Sequence, residues 1–159
     1  MNRPPASLAA RLIALARPED RSARDEVILG ALGDPASPIR DIAVAWAARC
    51  LEPSRLVPLV AEGANAILRN AALAALERQG PYAVAAMERM TTEPDADVAM
   101  FACLVLGAIS GESSTDALLV ALHRPEINVR QAAVEALGRL KARGAVPALV
   151  ALLEGDPWL

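Results

Sequence analysis

The sequence predicts an all-α protein in which short helical hairpins are stacked side by side as an α-solenoid. Apolar residues make up 54% of the chain, whereas aromatic residues make up only 3%. Alanine, which has the highest helix propensity of all residues, is abundant. One phrase of alanines and aliphatic residues also recurs along the chain, and such internal repetition indicates a repeat architecture.

The recurring phrase is predicted to form the first helix of each repeat. It reads IRDIAVAWAARC, ILRNAALAALER and INVRQAAVEALG, and DVAMFACLVLGAIS fits between the second and the last of these. Alignment of Arg40, Arg69, Ala99 and Arg130 gives spacings of 29, 30 and 31 residues. Within the last copy, Val129, Ala133, Ala136, Leu137 and Leu140 share one face. Apolar residues at this helical spacing predict an amphipathic helix.

A turn and a shorter second helix are predicted after each copy. The second helices read RLVPLVAE, YAVAAMERM, TDALLVALH and AVPALVALLEG. Pro58 and Pro147 occupy the same position, in a first helical turn where proline is tolerated because its missing N–H would have no partner. Val84 matches Val146 at a distance of 62 residues, or two repeats of 31. The register therefore holds in both helices of the repeat.

The repeats are predicted to form a single domain over residues 1–159. An irregular N-terminal hairpin covers 1–33, and repeats cover 34–63, 64–94, 95–125 and 126–159, about five hairpins in all. The segment SLAARLIALAR carries Arg11 in its apolar stretch and lacks a following cleavage pattern, so we predict a helix rather than a signal peptide. No apolar run has the length of a membrane span, and Cys50 and Cys103 form no CxxC pair. We therefore expect a cytoplasmic protein.

The pattern resembles HEAT repeats, in particular the short bacterial HEAT-like repeats of phycobilisome lyases. The segments DPASPIRDIAVAWAA and INVRQAAVEALGRLKARGAVPALVALL carry the resemblance. In HEAT repeats an aspartate and an arginine six residues later form a ladder between neighbouring repeats. Asp34 and Arg40 match this pair and the other repeats depart from it, so the resemblance implies a broken ladder. It also implies a bacterial solenoid whose second helices line a concave side that binds partners.

The sequence carries no catalytic signature. His123 is the only histidine, and it follows the second helix of the third repeat, where a surface histidine suits the helix C-terminus. Nucleophilic serine or cysteine chemistry would require this histidine, and the iron-binding HEAT-like hydroxylases use several histidine–glutamate pairs that the chain lacks. No glycine-rich phosphate loop is present. We therefore predict a protein that is not an enzyme and uses no cofactor or metal.

The charged residues are predicted to lie along two edges of the stack. The acidic set, in turns between repeats, is Asp34, Glu62, Glu93, Asp95, Asp97, Glu126, Glu154 and Asp156. The basic set, in turns within repeats, is Arg49, Arg55, Arg78, Arg139, Lys141 and Arg143. Two interpretations stay open, solvated edges favoured by the helix dipoles and steering of a charged protein partner.

Two segments are more apolar than a surface helix requires. DVAMFACLVLGAIS is apolar nearly all round, as expected either of a central repeat packed on both sides or of an adaptable binding groove. ALVALLEGDPWL is strongly apolar where a terminal repeat normally has a polar outer face. A homodimer through this end, a larger parent chain or a tail folded back would each cover it.

The first functional hypothesis is a non-catalytic scaffold or adaptor that binds another protein. Its candidate contact residues are Arg55, Met87, Glu88, Arg89 and Trp158. The alternatives are a helper of cofactor attachment resembling bilin lyases and a nucleic-acid-binding HEAT-like protein. A net charge of −3 and few aromatic residues count against nucleic acid, although Trp46, Trp158 and the basic edge keep that hypothesis open. No membrane partner is expected.

Overall fold

A computed structural model of the chain describes residues 21–109 and 114–155. Within these two ranges every regular element is a helix, which confirms the predicted all-α class. The segment SLAARLIALAR and Trp158 lie outside the described residues. The chain divides into two compact units, Met1–Arg78 and Gln79–Leu159. The single-domain prediction and its repeat bounds stay predictions.

The first unit is built from helices whose apolar residues fall on one face. They are α1 (Arg21–Leu32), α2 (Ser37–Cys50), α3 (Pro53–Val60) and α4 (Ala66–Gln79), the last of which ends one residue into the second unit. In α2, Ile39, Ala43 and Ala47 recur every four residues and are completely buried. Helix α1 packs against α2. Helical spacing therefore places these small side chains in the core of the unit.

The second unit repeats the same hairpin pattern. It contains α5 (Val84–Met90), α6 (Ala96–Ala108), α7 (Thr115–Ala121), α8 (Ile127–Arg139) and α9 (Val146–Gly155), with short 3₁₀ turns at Gly80–Ala83 and Arg143–Ala145. Helix α6 packs against α5 and α8, and α7 packs against α8. At the start of α6, Oδ1 of Asp95 accepts hydrogen bonds from the backbone N–H groups of Asp97 (2.9 Å) and Val98 (3.3 Å). This cap stabilises the first turn of α6.

Helices α6 and α8 approach each other closely at Gly107. A Cβ atom placed on Gly107 would lie 2.7 Å from the Cα atom of Ala136 and 2.8 Å from its Cβ atom. Real Cβ atoms do not come this close to a backbone carbon, because the van der Waals radii overlap. Gly107 and the small Ala136 side chain therefore set the spacing between the two helices.

The arginine in the first helix of the repeat binds the backbone of the preceding turn. In the first unit, Nη1 of Arg40 donates to the carbonyl oxygens of Asp34 (2.6 Å) and Pro35 (2.8 Å). The Asp34 side chain is buried, and its Oδ1 accepts from the N–H of Ala36 at 2.8 Å. Arginine and aspartate together hold the turn that leads into α2.

The second unit repeats this arginine contact with a different residue in the aspartate position. Nη1 of Arg130 donates to the carbonyl oxygens of Arg124 (3.1 Å) and Pro125 (2.9 Å). Because the acceptors are main-chain oxygens, the contact does not require an aspartate side chain. The arginine position therefore keeps its structural role in a repeat where the aspartate is lost.

Candidate functional site

The predicted contact residue of the first unit lies on the surface. Nη2 of Arg55, in α3, donates to Oε1 of Glu26 in α1 at 2.6 Å. The two side chains are 46% and 69% exposed. Exposed ion pairs of this kind contribute little to stability, because water screens both charges. The Arg55 guanidinium thus stays accessible to a partner.

The predicted contact residues on α5 fall into two groups. Met87 is completely buried and packs in the core of the second unit, so it is not available to a partner and its inclusion among the contact residues is corrected. Arg89 is exposed and Glu88 is half-buried. Alignment of the repeats could have indicated this burial, because Met87 is equivalent to the apolar Leu118, 31 residues later, which is also completely buried.

The second helices of the second unit expose an apolar surface. Arg89, Val120 and Ala151 follow one another at intervals of 31 residues, and all three are exposed. Val120 is 59% exposed, a large fraction for a branched aliphatic side chain. Equivalent positions thus carry one cation and then apolar residues, a composition that suits contact with a protein rather than with phosphate groups.

Helix α9 also exposes apolar side chains. Val146, Val150 and Leu153 are 53%, 49% and 65% exposed, and no side chain over 146–154 is buried. The sequence left open whether this helix is exposed or covered, and the structure shows it exposed over the residues it describes. Asp156 and Trp158, which follow it, lie outside those residues.

The acidic set divides into exposed and structural residues. Glu62, Glu93, Asp95, Asp97 and Glu154 are exposed. Asp34 is buried, and Glu126 is half-buried beside Arg124, whose Nε lies 2.9 Å from Oε2 of Glu126. The hydrogen bond from Arg124 holds the pKa of the Glu126 carboxyl below its usual range, and a backbone hydrogen bond adds to this effect. These two acids stabilise turns rather than face solvent freely.

The basic set is exposed throughout, and its members are Arg49, Arg55, Arg78, Arg139, Lys141 and Arg143. Nη2 of Arg139 lies 2.6 Å from Oε1 of Glu135, one helical turn earlier on α8. Lys141, Arg143 and Thr115 line a surface depression of about 470 Å³. A second depression of similar volume is lined by Trp46, Arg49 and Cys50.

The described part of the chain brings together no metal-binding group. No three histidine, cysteine, aspartate or glutamate side chains lie close enough there to share a metal ion. His123 is exposed just after α7. No helix over 21–109 or 114–155 has the length and apolar character needed to cross a bilayer.

The two cysteines differ in accessibility. Cys50 is half-buried, whereas Cys103, in α6, is completely buried. Burial raises the pKa of the Cys103 thiol from 9.0 to about 11, because the thiolate would lose its hydration, and the positive charge of Arg124 offsets part of this rise. Cys103 therefore behaves as a small core residue rather than as a nucleophile.

Cys103 is expected to make the protein less stable at high pH. As pH rises from 9 towards 11, the unfolded chain loses the thiol proton and the folded chain keeps it, so the unfolded state is favoured. This difference in pKa between the folded and unfolded states corresponds to about 2–3 kcal/mol in the free energy of unfolding. Urea unfolding of wild type and Cys103→Ala from pH 7 to pH 11 measures it, and the stability difference should change only above about pH 9. If the free energies of unfolding of wild type and Cys103→Ala differ by the same amount at every pH from 7 to 11, the raised pKa of Cys103 would be contradicted.

Comparison with known proteins finds a family match within the second unit. Residues 83–159, just under half of the chain, match the family model of HEAT repeats. No curated protein matches the chain. The match supports a HEAT-repeat protein and, with the helical hairpins over the described residues, confirms the predicted α-solenoid fold class. The bacterial lyase-type subclass stays a prediction.

Proposed function

We propose that the chain is a non-catalytic scaffold or adaptor that binds another protein through the second helices of its second unit. HEAT repeats generally mediate contacts between proteins, and the matched residues 83–159 include these helices. The observation that carries the proposal is the exposure of Val120, Val150 and Leu153 on α7 and α9. Its cytoplasmic location is part of the same proposal.

The composition of this surface indicates the contacts that a partner would make. Exposed valine and leucine side chains gain about 25 cal/mol per Å² when a partner removes them from water. Arg89 adds a guanidinium that pairs with a carboxylate of the partner, and arginine is enriched among residues that dominate binding energy. Beside it, the half-buried Glu88 limits attraction to polyanions. We therefore expect a protein partner with an apolar patch and an acidic residue.

Val120→Glu and Arg89→Glu are expected to abolish capture of the partner. The glutamate at position 120 would bury an unpaired charge in the interface, which weakens binding by at least about tenfold. Affinity capture from native lysate with quantitative mass spectrometry compares both variants with wild type. Asn70→Glu, which adds a charge at an exposed position of α4 in the first unit, is the matched control and should capture as wild type does.

Two results would contradict the proposed function. One is that wild type enriches no protein over the capture matrix. The other is that Val120→Glu, Arg89→Glu and Asn70→Glu all capture the same protein as strongly as wild type.

A further inference from the structure

Helix α6 has one accessible face, and that face is apolar. Its accessible positions at helical spacing are Asp97, Met100, Phe101, Leu104 and Ala108, where Asp97 and Ala108 are exposed and the other three are half-buried. The remaining positions from Val98 to Gly107 are buried in the second unit. Beyond Asp97, the surface that α6 presents to solvent therefore contains no polar side chain.

The other repeats carry polar residues at two of these positions. The position of Met100 is occupied by Asp41, Asn70 and Gln131 in the other first helices. The position of Ala108 is occupied by Arg49, Arg78 and Arg139. Leu104 takes a position that is otherwise Ala45, Ala74 or Glu135. The other first helices fold without a large apolar side chain at these positions. Packing within the repeat therefore does not fully explain why Met100 and Leu104 are large and apolar.

The apolar face of α6 borders a groove with α8. Met100 and Leu104 line one side, and Asn128, Gln131, Ala132 and Glu135 line the other, enclosing about 200 Å³. The groove covers about one turn of α6, between Met100 and Leu104, and Gly107 meets Ala136 closer to the C-terminal ends of both helices. It has an apolar wall and a polar wall, as expected of a groove that receives the apolar stripe of a helix.

The charges around the groove are unequal at its two ends. Glu93, Asp95 and Asp97 are exposed in and before the first turn of α6. At the other end, Glu135 and Arg139 neutralise each other at 2.6 Å, and Ala108 stands where the other repeats carry arginine. The face is therefore net negative, with the negative charge at the N-terminal end of α6.

We propose that this surface, the outer face of α6 with its groove along α8, binds an amphipathic helix of a partner protein that carries basic residues at one end of its apolar stripe. The stripe would cover Met100 and Leu104, and the basic residues would lie against Asp97 and Glu93. This inference rests on the proposed protein-binding function and adds a surface on first helices to the one on second helices. A second copy of the chain would bring the same negative face, so repulsion disfavours it as the occupant.

Selection of helical peptides tests the inference. A displayed library of single-helix peptides is selected for binding to the wild-type chain. The affinity of each selected peptide for wild type and for the variants is then measured by fluorescence anisotropy. We expect winners with a leucine-like stripe and lysine or arginine at one end. Their affinity should fall by at least about tenfold for Met100→Gln/Leu104→Gln, which removes the apolar contact, and several-fold for the exposed Asp97→Lys. Glutamine already occupies the Met100 position at Gln131, so the fold should tolerate it.

Val120→Glu separates this inference from the proposed function. Peptides that bind the α6 surface should bind Val120→Glu as tightly as wild type. Peptides that are sensitive to Val120→Glu but not to Met100→Gln/Leu104→Gln would overturn the inference and leave the scaffold function standing. Selection that yields no binder, or winners without basic residues, would overturn it as well. So would a self-association that sedimentation detects in wild type and that Met100→Gln/Leu104→Gln abolishes.

Discussion

Gly107→Ala is expected to lower the free energy of unfolding of the second unit by about 1–3 kcal/mol. The added methyl would lie 2.7 Å from the Cα atom of Ala136 and 2.8 Å from its Cβ atom. A backbone carbon cannot turn aside as a flexible side chain can, so α6 and α8 must separate along their length. The separation loosens the core around Leu106 and Leu137, both of which are buried. Urea or thermal unfolding measures the loss.

Gly138→Ala is the matched control and should raise the free energy of unfolding rather than lower it. Gly138 lies in α8 (Ile127–Arg139), is exposed, and has no atom within 4 Å of an added Cβ. Alanine there is expected to stabilise the helix by about 0.5–1 kcal/mol, because it restricts the unfolded chain and favours the helical backbone. Equal effects of Gly107→Ala and Gly138→Ala would contradict the close approach at Gly107.

The sequence predicts the helices and their core faces well, because both follow from periodicity. Val129, Ala133, Ala136, Leu137 and Leu140 were predicted to share one face of the first helix of the last repeat. The first four are buried and Leu140, at the helix end, is half-buried. This agreement is expected of a repeat protein, because the buried positions assigned in one copy must also be apolar in the aligned copies. If the buried face of the first helices were assigned wrongly, polar residues of several copies would fall in the core.

The contacts of single side chains were harder to predict. Arg40 and Arg130 both donate to carbonyl oxygens of the preceding turn, a contact that the resemblance to the aspartate–arginine ladder did not imply. Every residue has a carbonyl, so a sequence pattern gives no sign of such an acceptor. Met87 was also predicted to contact a partner, yet it is completely buried. Helix α5 alone, 7 residues long, is too short for periodicity to define its buried side, so only comparison with the next repeat could indicate it.

The candidate surfaces depend on neighbours rather than on local sequence. Helices α6 and α9 are both strongly apolar in sequence, yet most of α6 is buried and α9 has no buried side chain over 146–154. Periodicity describes a helix by itself, whereas burial is decided by the elements that pack around it. The sequence could therefore pick out both segments as unusual without deciding which of them is exposed.

Leu137→Ala and Leu153→Ala are expected to differ widely although the chemical change is the same. Leu137, in α8, is 1% exposed, and its truncation should cost about 2–5 kcal/mol because it removes apolar burial and leaves a cavity. Leu153, in α9, is 65% exposed, and its truncation should change stability by less than about 0.5 kcal/mol. Urea unfolding of the two variants and wild type, at equal m-values, measures both changes.

The contrast separates an apolar residue that the fold requires from one that it does not. If Leu153→Ala leaves stability unchanged and weakens capture of the partner, the apolar side chains of α9 serve binding, since nothing in the folded chain depends on them. If Leu153→Ala costs as much stability as Leu137→Ala, the face of α9 is packed within the free chain. In that case its side chains would not be available to a partner, and the binding surface would be confined to Arg89 and Val120.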